Sequence, residues 1–153
     1  MELITLNNLN QAKELIQQAN ISQLKEIIAR TDALRVYAAQ AKAGLVIQNQ
    51  VAEVKLRAEK RIGEVLKEMP KQHGARDGKT ELQDVTPLTL SELGIERIQS
   101  HRWQQVASLP DKQFEEHVAR VKASNEELTT LGVIHLARDI KKDIRVAEED
   151  KQR

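Results

Sequence analysis

Apolar residues recur along this chain every three or four positions, the spacing that lines one face of an α-helix. Residues 7–18 carry Leu9, Ala12, Leu15 and Ile16 on such a stripe. Asn20 and Ser22 follow as candidate caps, because short polar side chains accept from the free N–H groups of a helix start. A longer stripe of Leu24, Ile28, Thr31, Leu34, Ala38 and Ala41 predicts a second helix that stops or bends at Gly44. Beyond it, Ile47, Val51, Val54, Ala58, Ile62, Val65 and Met69 continue the spacing up to Pro70. The two stripes predict a coiled-coil-like helical hairpin over residues 1–70. A lone hairpin buries little surface, so a homodimer is expected, with Ile47, Val51, Val54, Ala58, Ile62 and Val65 as its seam.

Periodicity is lost over 71–85, where Gly74, Asp77, Gly78 and Thr80 mark a linker. It returns in 86–153. A short helix starting at Thr86-Pro87 or at Thr89 carries Leu88, Leu90 and Leu93, and Gly94 permits a tight turn after it. The next helix has Ile95, Ile98, Trp103 and Val106 on or near one face, and Arg97, His101 and Gln104 on another. Asp111 is a candidate cap for a helix bearing Phe114, Val118 and Val121. Ser124 and Glu127 have the spacing of a capping box. The last helix runs through Leu128, Leu131, Ile134, Leu136, Ile140 and Ile144, and a charged tail occupies 148–153. The fold class is all-α: a hairpin (1–70), a basic flexible linker (71–85) and a helix-turn-helix module with two further helices (86–153).

Composition narrows the picture. One Trp, one Tyr and one Phe among 153 residues leave the core to Leu, Ile, Val and Ala. With 31% charged residues, that suits amphipathic helices better than strands. The absence of cysteine excludes disulfides, thiolate metal sites and a cysteine nucleophile. The start of the chain has no basic, apolar leader pattern, and no apolar run approaches the ~20 residues that span a bilayer. A cytoplasmic protein without a membrane partner is expected. A net charge of +1 is unremarkable, but a DNA binder needs only a local basic patch. Lys55, Arg57, Lys60, Arg61, Lys67, Lys71, Arg76 and Lys79 supply one, against Glu59, Glu64, Glu68 and Asp77. The plainer reading of the same residues is a solvated helix face running into a loop.

The stretch TPLTLSELGIERIQSHRWQQVASLP at 86–110 carries the clearest chemistry. Helix-turn-helix units set their second helix in the DNA major groove, with side chains near its N-terminus meeting base edges. Arg97, His101 and Arg102 are then the leading contacts, since Arg donates two bonds to guanine O6 and N7. Gln99, Ser100, Gln104 and Gln105 are placed for phosphate or water. Lys71, Arg76 and Lys79 add phosphate contacts from the linker. Leu90 stands where such units usually have a small residue, and Ser100 where they have a β-branched one.

LTLSELGIERIQSHRWQQVASLPDKQFEEHV resembles the helix-turn-helix region of ParB/KorB-type DNA-binding proteins, including the leucine-proline step and the acidic helix after it. More broadly, the order YAAQAK…AEVKLRAEKRIGEVLKEM, linker, LSELGI…RWQ is similar to small helical proteins of phages, prophages and plasmids. That likeness covers about residues 33–139. It implies binding to double-stranded DNA, in transcription regulation or DNA maintenance for a phage or mobile element. The nucleotide-binding module of ParB proteins has no counterpart here, so no nucleotide gate is implied.

Other motifs carry less. The glycine loop at 74–80 imitates a phosphate-binding loop but has three residues between its glycines instead of four, and follows a helix instead of a strand. His73, His101, His117 and His135 lack the i, i+4 spacing of a helical metal pair. Acidic residues are spread along helix faces, with Glu53 and Arg57 at the spacing of an i, i+4 ion pair. No catalytic residue, cofactor or metal site is expected, and the chain reads as a non-enzyme. The rival to DNA binding is a protein-interaction module that inhibits or recruits a host or phage protein, its helix-turn-helix serving only as a fold element.

Overall fold

The computed structural model describes residues 6–42, 44–69 and 89–153, and every regular element among them is an α-helix. These are α1 (Leu6–Gln18), α2 (Ile21–Gln40), α3 (Leu45–Glu68), α4 (Arg97–Ser108), α5 (Asp111–Ala123) and α6 (Thr130–Lys151). The all-α expectation holds. Lys71, Arg76, Lys79, the glycine loop at 74–80, His73 and the start at Thr86, Pro87 and Leu88 lie outside the described residues.

Local chemistry sets most helix ends. The Asn20 side chain accepts from the Gln23 N–H at 2.9 Å while Gln23 Oε1 accepts from the Asn20 N–H at 3.0 Å, a reciprocal cap for α2. Two expected caps differ. Asp111 is the first residue of α5, behind Pro110, and its carboxylate accepts instead from Lys60 Nζ at 2.6 Å. The Ser124–Glu127 pair caps nothing: α6 starts at Thr130, and Thr129 Oγ1 accepts from the Gly132 N–H at 3.0 Å. Leu128 is buried before α6 begins, so core burial delays the helix. Ser124 Oγ closes α5 on the Arg120 carbonyl, and Glu127 accepts from Arg35 of α2 at 2.7 Å.

The spine of the molecule is α3. One apolar cluster joins its Val54, Ala58, Ile62 and Leu66 to Ile16, Leu24 and Ile28 from α1 and α2, and to Ile95 and Trp103. The other joins its Ala52 and Leu56 to Val106, Leu109, Phe114, Val118, Val121, Leu128, Val133, Ile134 and Ala137. Segments on both sides of 71–85 thus share both clusters and do not pack as separate modules. This overturns the expected dimer seam: Val51, Val54, Ala58 and Ile62 are buried inside the chain, and Ile47 and Val65 are half-buried. The stripe that a second copy was expected to cover is covered by the chain's own helices. Leu34 and Ala41 leave the α2 stripe for solvent.

Two polar or small residues let α3 hold its neighbours. Asn49, buried, donates to the Glu126 carbonyl at 2.8 Å and accepts from the Leu128 N–H at 2.9 Å, clasping the α5–α6 connection. Gly63 marks the crossing with α4, where an added Cβ would sit 2.0 Å from the Trp103 carbonyl oxygen. Only glycine allows the two backbones so close. At the far end, residues 141–153 of the chain are all exposed, so α6 outruns the core.

Candidate nucleic-acid interface

The turn before α4 is built by capping at both ends. The Thr89 N–H donates to Glu92 Oε2 at 2.9 Å and the Glu92 N–H to Thr89 Oγ1 at 3.2 Å. The Leu93 N–H bonds the Thr89 carbonyl, the Gly94 N–H that of Ser91 and the Ile95 N–H that of Leu90. The last two bonds are those of a Schellman stop, which needs a left-handed residue; Gly94 supplies it at φ 66°. Leu90 and Ile95, the residues such a stop brings together, belong to one apolar cluster, which gives the larger Leu90 its use. Lys25 of α2 donates from Nζ to the Leu93 carbonyl at 3.0 Å, tying the turn to the N-terminal helices.

Glu96 and Gln99 then form the capping box of α4. Trp103 and Val106 are buried, as expected, and Trp103 faces α3 at Gly63. Ser100, expected at phosphate or water, is instead only 3% exposed, and its Oγ accepts from Gln104 Nε2 at 2.9 Å, so the two side chains bind each other. Gln99 is exposed but its side-chain oxygen accepts from the Glu96 N–H at 3.3 Å. Arg97, His101 and Arg102 are exposed together on α4. Among the described residues none of the three makes an ion pair within the chain.

Ile98 joins them. It was expected near the Trp103 face, yet it is 67% exposed. The signal was in the spacing: five residues at about 100° each put Ile98 roughly 140° from Trp103. The exposed residues of the first α4 turns are therefore Arg97, Ile98, Gln99, His101 and Arg102.

The basic stretch on α3 behaves differently. Lys55 Nζ meets Asp32 at 2.6 Å and Glu59 at 3.5 Å. Arg57 donates to Glu53 at 2.8 Å and to both carboxylate oxygens of Glu115. Lys60 donates to Glu64 at 2.7 Å and Asp111 at 2.6 Å, and both Arg57 and Lys60 lie over the Phe114 ring. Glu53, 2% exposed, also receives Lys122 at 2.7 Å. Burial alone would push the Glu53 carboxyl up, but hydrogen bonds from Lys122 and Arg57 hold it below the usual carboxylate range. Burial likewise opposes the charge on Lys60, and Asp111 and Glu64 more than restore it. Glu59 goes the other way: burial raises its pKa, with Lys55 and a hydrogen bond from Thr130 only partly offsetting it. Lys55, Arg57 and Lys60 are thus structural, and the phosphate role considered for them is not available.

A polar cavity of about 260 Å³ lies between α1, α3 and α5, lined by Lys13, Arg57, Lys60 and Arg61 with Glu64, Asp111 and Glu115. Its cations and carboxylates largely answer one another. Among the described residues no three potential metal ligands converge, and no helix is long and apolar enough to cross a membrane. His117 lies under Gly132 and takes a hydrogen bond from Arg120 at Nδ1, 3.0 Å. Burial and the Arg120 charge depress its pKa. Compared with known proteins, the chain matches no family model, no curated protein and no solved structure.

Proposed function

We propose that this chain binds double-stranded DNA, with the turn at 89–94 and α4 acting as a helix-turn-helix. The observation that carries the reading is the set Arg97, His101 and Arg102, exposed and without an ion pair among the described residues, on the first turns of a helix anchored from behind by Trp103. At the middle of α3 this chain sets Lys55, Arg57 and Lys60 against carboxylates, while Lys67 at its end is exposed; on α4 the cations face outward. Lys71, Arg76 and Lys79 precede the unit in sequence and add affinity without specificity. Regulation or maintenance of the DNA of a phage or mobile element is the setting in which such a unit acts.

The test is a DNA titration followed by fluorescence anisotropy at several salt concentrations. Arg97→Ala and Arg102→Ala each weaken binding by about 1–3 kcal/mol where the arginine is bidentate to a base. Unchanged binding in both removes the reading helix. Neutralising Lys71, Arg76 and Lys79 flattens the salt slope by roughly 0.9 per lost phosphate contact, equally on all sequences.

A protein-interaction module remains the second reading, favoured by the α2–α3 end. Leu34, Val36, Tyr37 and Val46 are large apolar side chains exposed around that turn. A protein that binds no DNA at low salt, together with a partner lost on Val36→Asp or Tyr37→Ala, would favour this surface.

A further inference from the structure

We propose that Ile98 is a specificity-determining residue of this interface: its side chain contacts the C5-methyl group of thymine in the major groove. The proposal rests on the DNA-binding reading of α4. Ile98 belongs to neither apolar cluster and is among the most exposed large hydrophobic side chains described. It is the second residue of α4, in the turn that a helix-turn-helix directs at base edges. Nothing in the intrinsic preferences of a helix asks for it there, since a β-branched residue loses side-chain freedom against the preceding turn.

Its neighbours fix what can cover it. His101 and Arg102 lie three and four positions on, so both flank Ile98 on the helix surface, and Arg97 precedes it about 100° round the helix. Helical side chains lean toward the N-terminus, so this group projects over the first turn of α4. An apolar spot ringed by arginines and a histidine matches a surface that is apolar at one point and anionic around it. The major groove at an A·T pair is such a surface. Thymine there presents a methyl group beside its O4 acceptor, and phosphates line both edges. Arg97, His101 and Arg102 then meet base edges or phosphates on either side, while the Ile98 side chain and the thymine methyl exclude water from each other.

Replacing thymine by deoxyuridine removes that methyl group and keeps the base pair. A duplex selected from a randomised pool by the wild-type protein is remade with single thymine-to-uracil replacements, and affinities are measured for wild type and Ile98→Ala. Wild type should lose about fourfold at one or a few positions, the worth of one buried methyl group. Ile98→Ala should bind the thymine and uracil duplexes alike, at the level of wild type on uracil. As a surface substitution it should leave the melting temperature nearly unchanged, which separates lost recognition from lost folding. Specific binding by wild type that is indifferent to uracil everywhere overturns the role of Ile98 and leaves the DNA reading intact. So does a uracil effect that persists in Ile98→Ala, which assigns the methyl contact to another side chain. Failure to select any duplex over a scrambled control overturns both.

Discussion

Two helices of this chain carry basic residues in comparable density and use them in opposite ways. On α3, Lys55, Arg57 and Lys60 reach carboxylates at 2.6–2.8 Å, most of them on other helices. On α4, Arg97 and Arg102 face solvent. A count of positive charge along the sequence favours α3, because its cations are more numerous. Pairing reverses the ranking. A cation already hydrogen-bonded to a carboxylate at the edge of a core has little left to offer a phosphate, whereas an unpaired one on a firmly seated helix keeps its full reach. The distance from one helix to the other is short, since they cross at Gly63.

The comparison breaks most visibly at Glu53. Glu53→Ala leaves Lys122 without its carboxylate and Arg57 with Glu115 alone, and removing one partner of a buried pair costs about 3–5 kcal/mol. Arg97→Ala, by contrast, should change stability by no more than about 0.5 kcal/mol. Denaturant unfolding of the two variants side by side measures the gap, and equal effects would erase the distinction between the helices. Next comes Gly63→Ala, whose Cβ collides with backbone atoms of Trp103 that cannot rotate away. Separating α3 from α4 should cost about 2–3 kcal/mol, seen as a fall of several degrees in melting temperature. Gly94→Ala forces an L side chain to φ 66° and should cost about 1–2 kcal/mol. Its Cβ also approaches Lys25 Nζ, so the turn loosens from α2 and DNA affinity falls with stability.

The smallest effect is pH dependence at His117. Its pKa is depressed in the folded chain, so the unfolded chain takes up a proton first, near its ordinary value of about 6.5. The associated stability is therefore complete above that pH and is lost as pH falls below it. Melting temperature should drop between pH 7.5 and 5.5, and His117→Gln should flatten the drop. Glu53, Asp111 and Glu115, held low by their cations, titrate further down. Glu59, raised by burial, favours the folded chain as pH falls and works against the drop, so the difference between wild type and His117→Gln is the quantity that reports the histidine. An identical drop in both proteins would assign the titration elsewhere.

Much of the fold was legible because periodicity is a local property. The stripe from Val51 to Ile62, the Asn20 cap, the Gly94 stop and the burial of Trp103 all follow from residues within a few positions of one another. What covers a stripe is not local, and the α3 stripe was assigned to a second copy when α1, α2 and residues from 95 onward cover it. The ion pairs were hidden for the same reason: Lys60 and Asp111 are 51 positions apart, and Glu53 and Lys122 are 69. The start of α6 at Thr130 was hidden for a like reason: the Leu128 N–H bonds Asn49, 79 positions away, and Thr129 supplies the cap. Of the candidate site, Arg97, His101 and Arg102 are exposed on α4. Ser100 is buried and Gln104 half-buried against it, and Ile98 is exposed.

The central place of α3 has a consequence for how the protein comes into being. A ribosome releases α1, α2 and α3 before the residues that answer much of the charge on α3. In the nascent chain Glu53 waits for Lys122, Lys60 waits for Asp111, and Asn49 waits for the backbone at 126 and 128. Until α5 emerges, the spine keeps those charges hydrated and its second apolar side open, so the early helices can form without locking. A chain cut short before α5 would lack Phe114, Val118, Val121 and Leu128, and so leave Ala52 and Leu56 of the spine without most of their apolar cover.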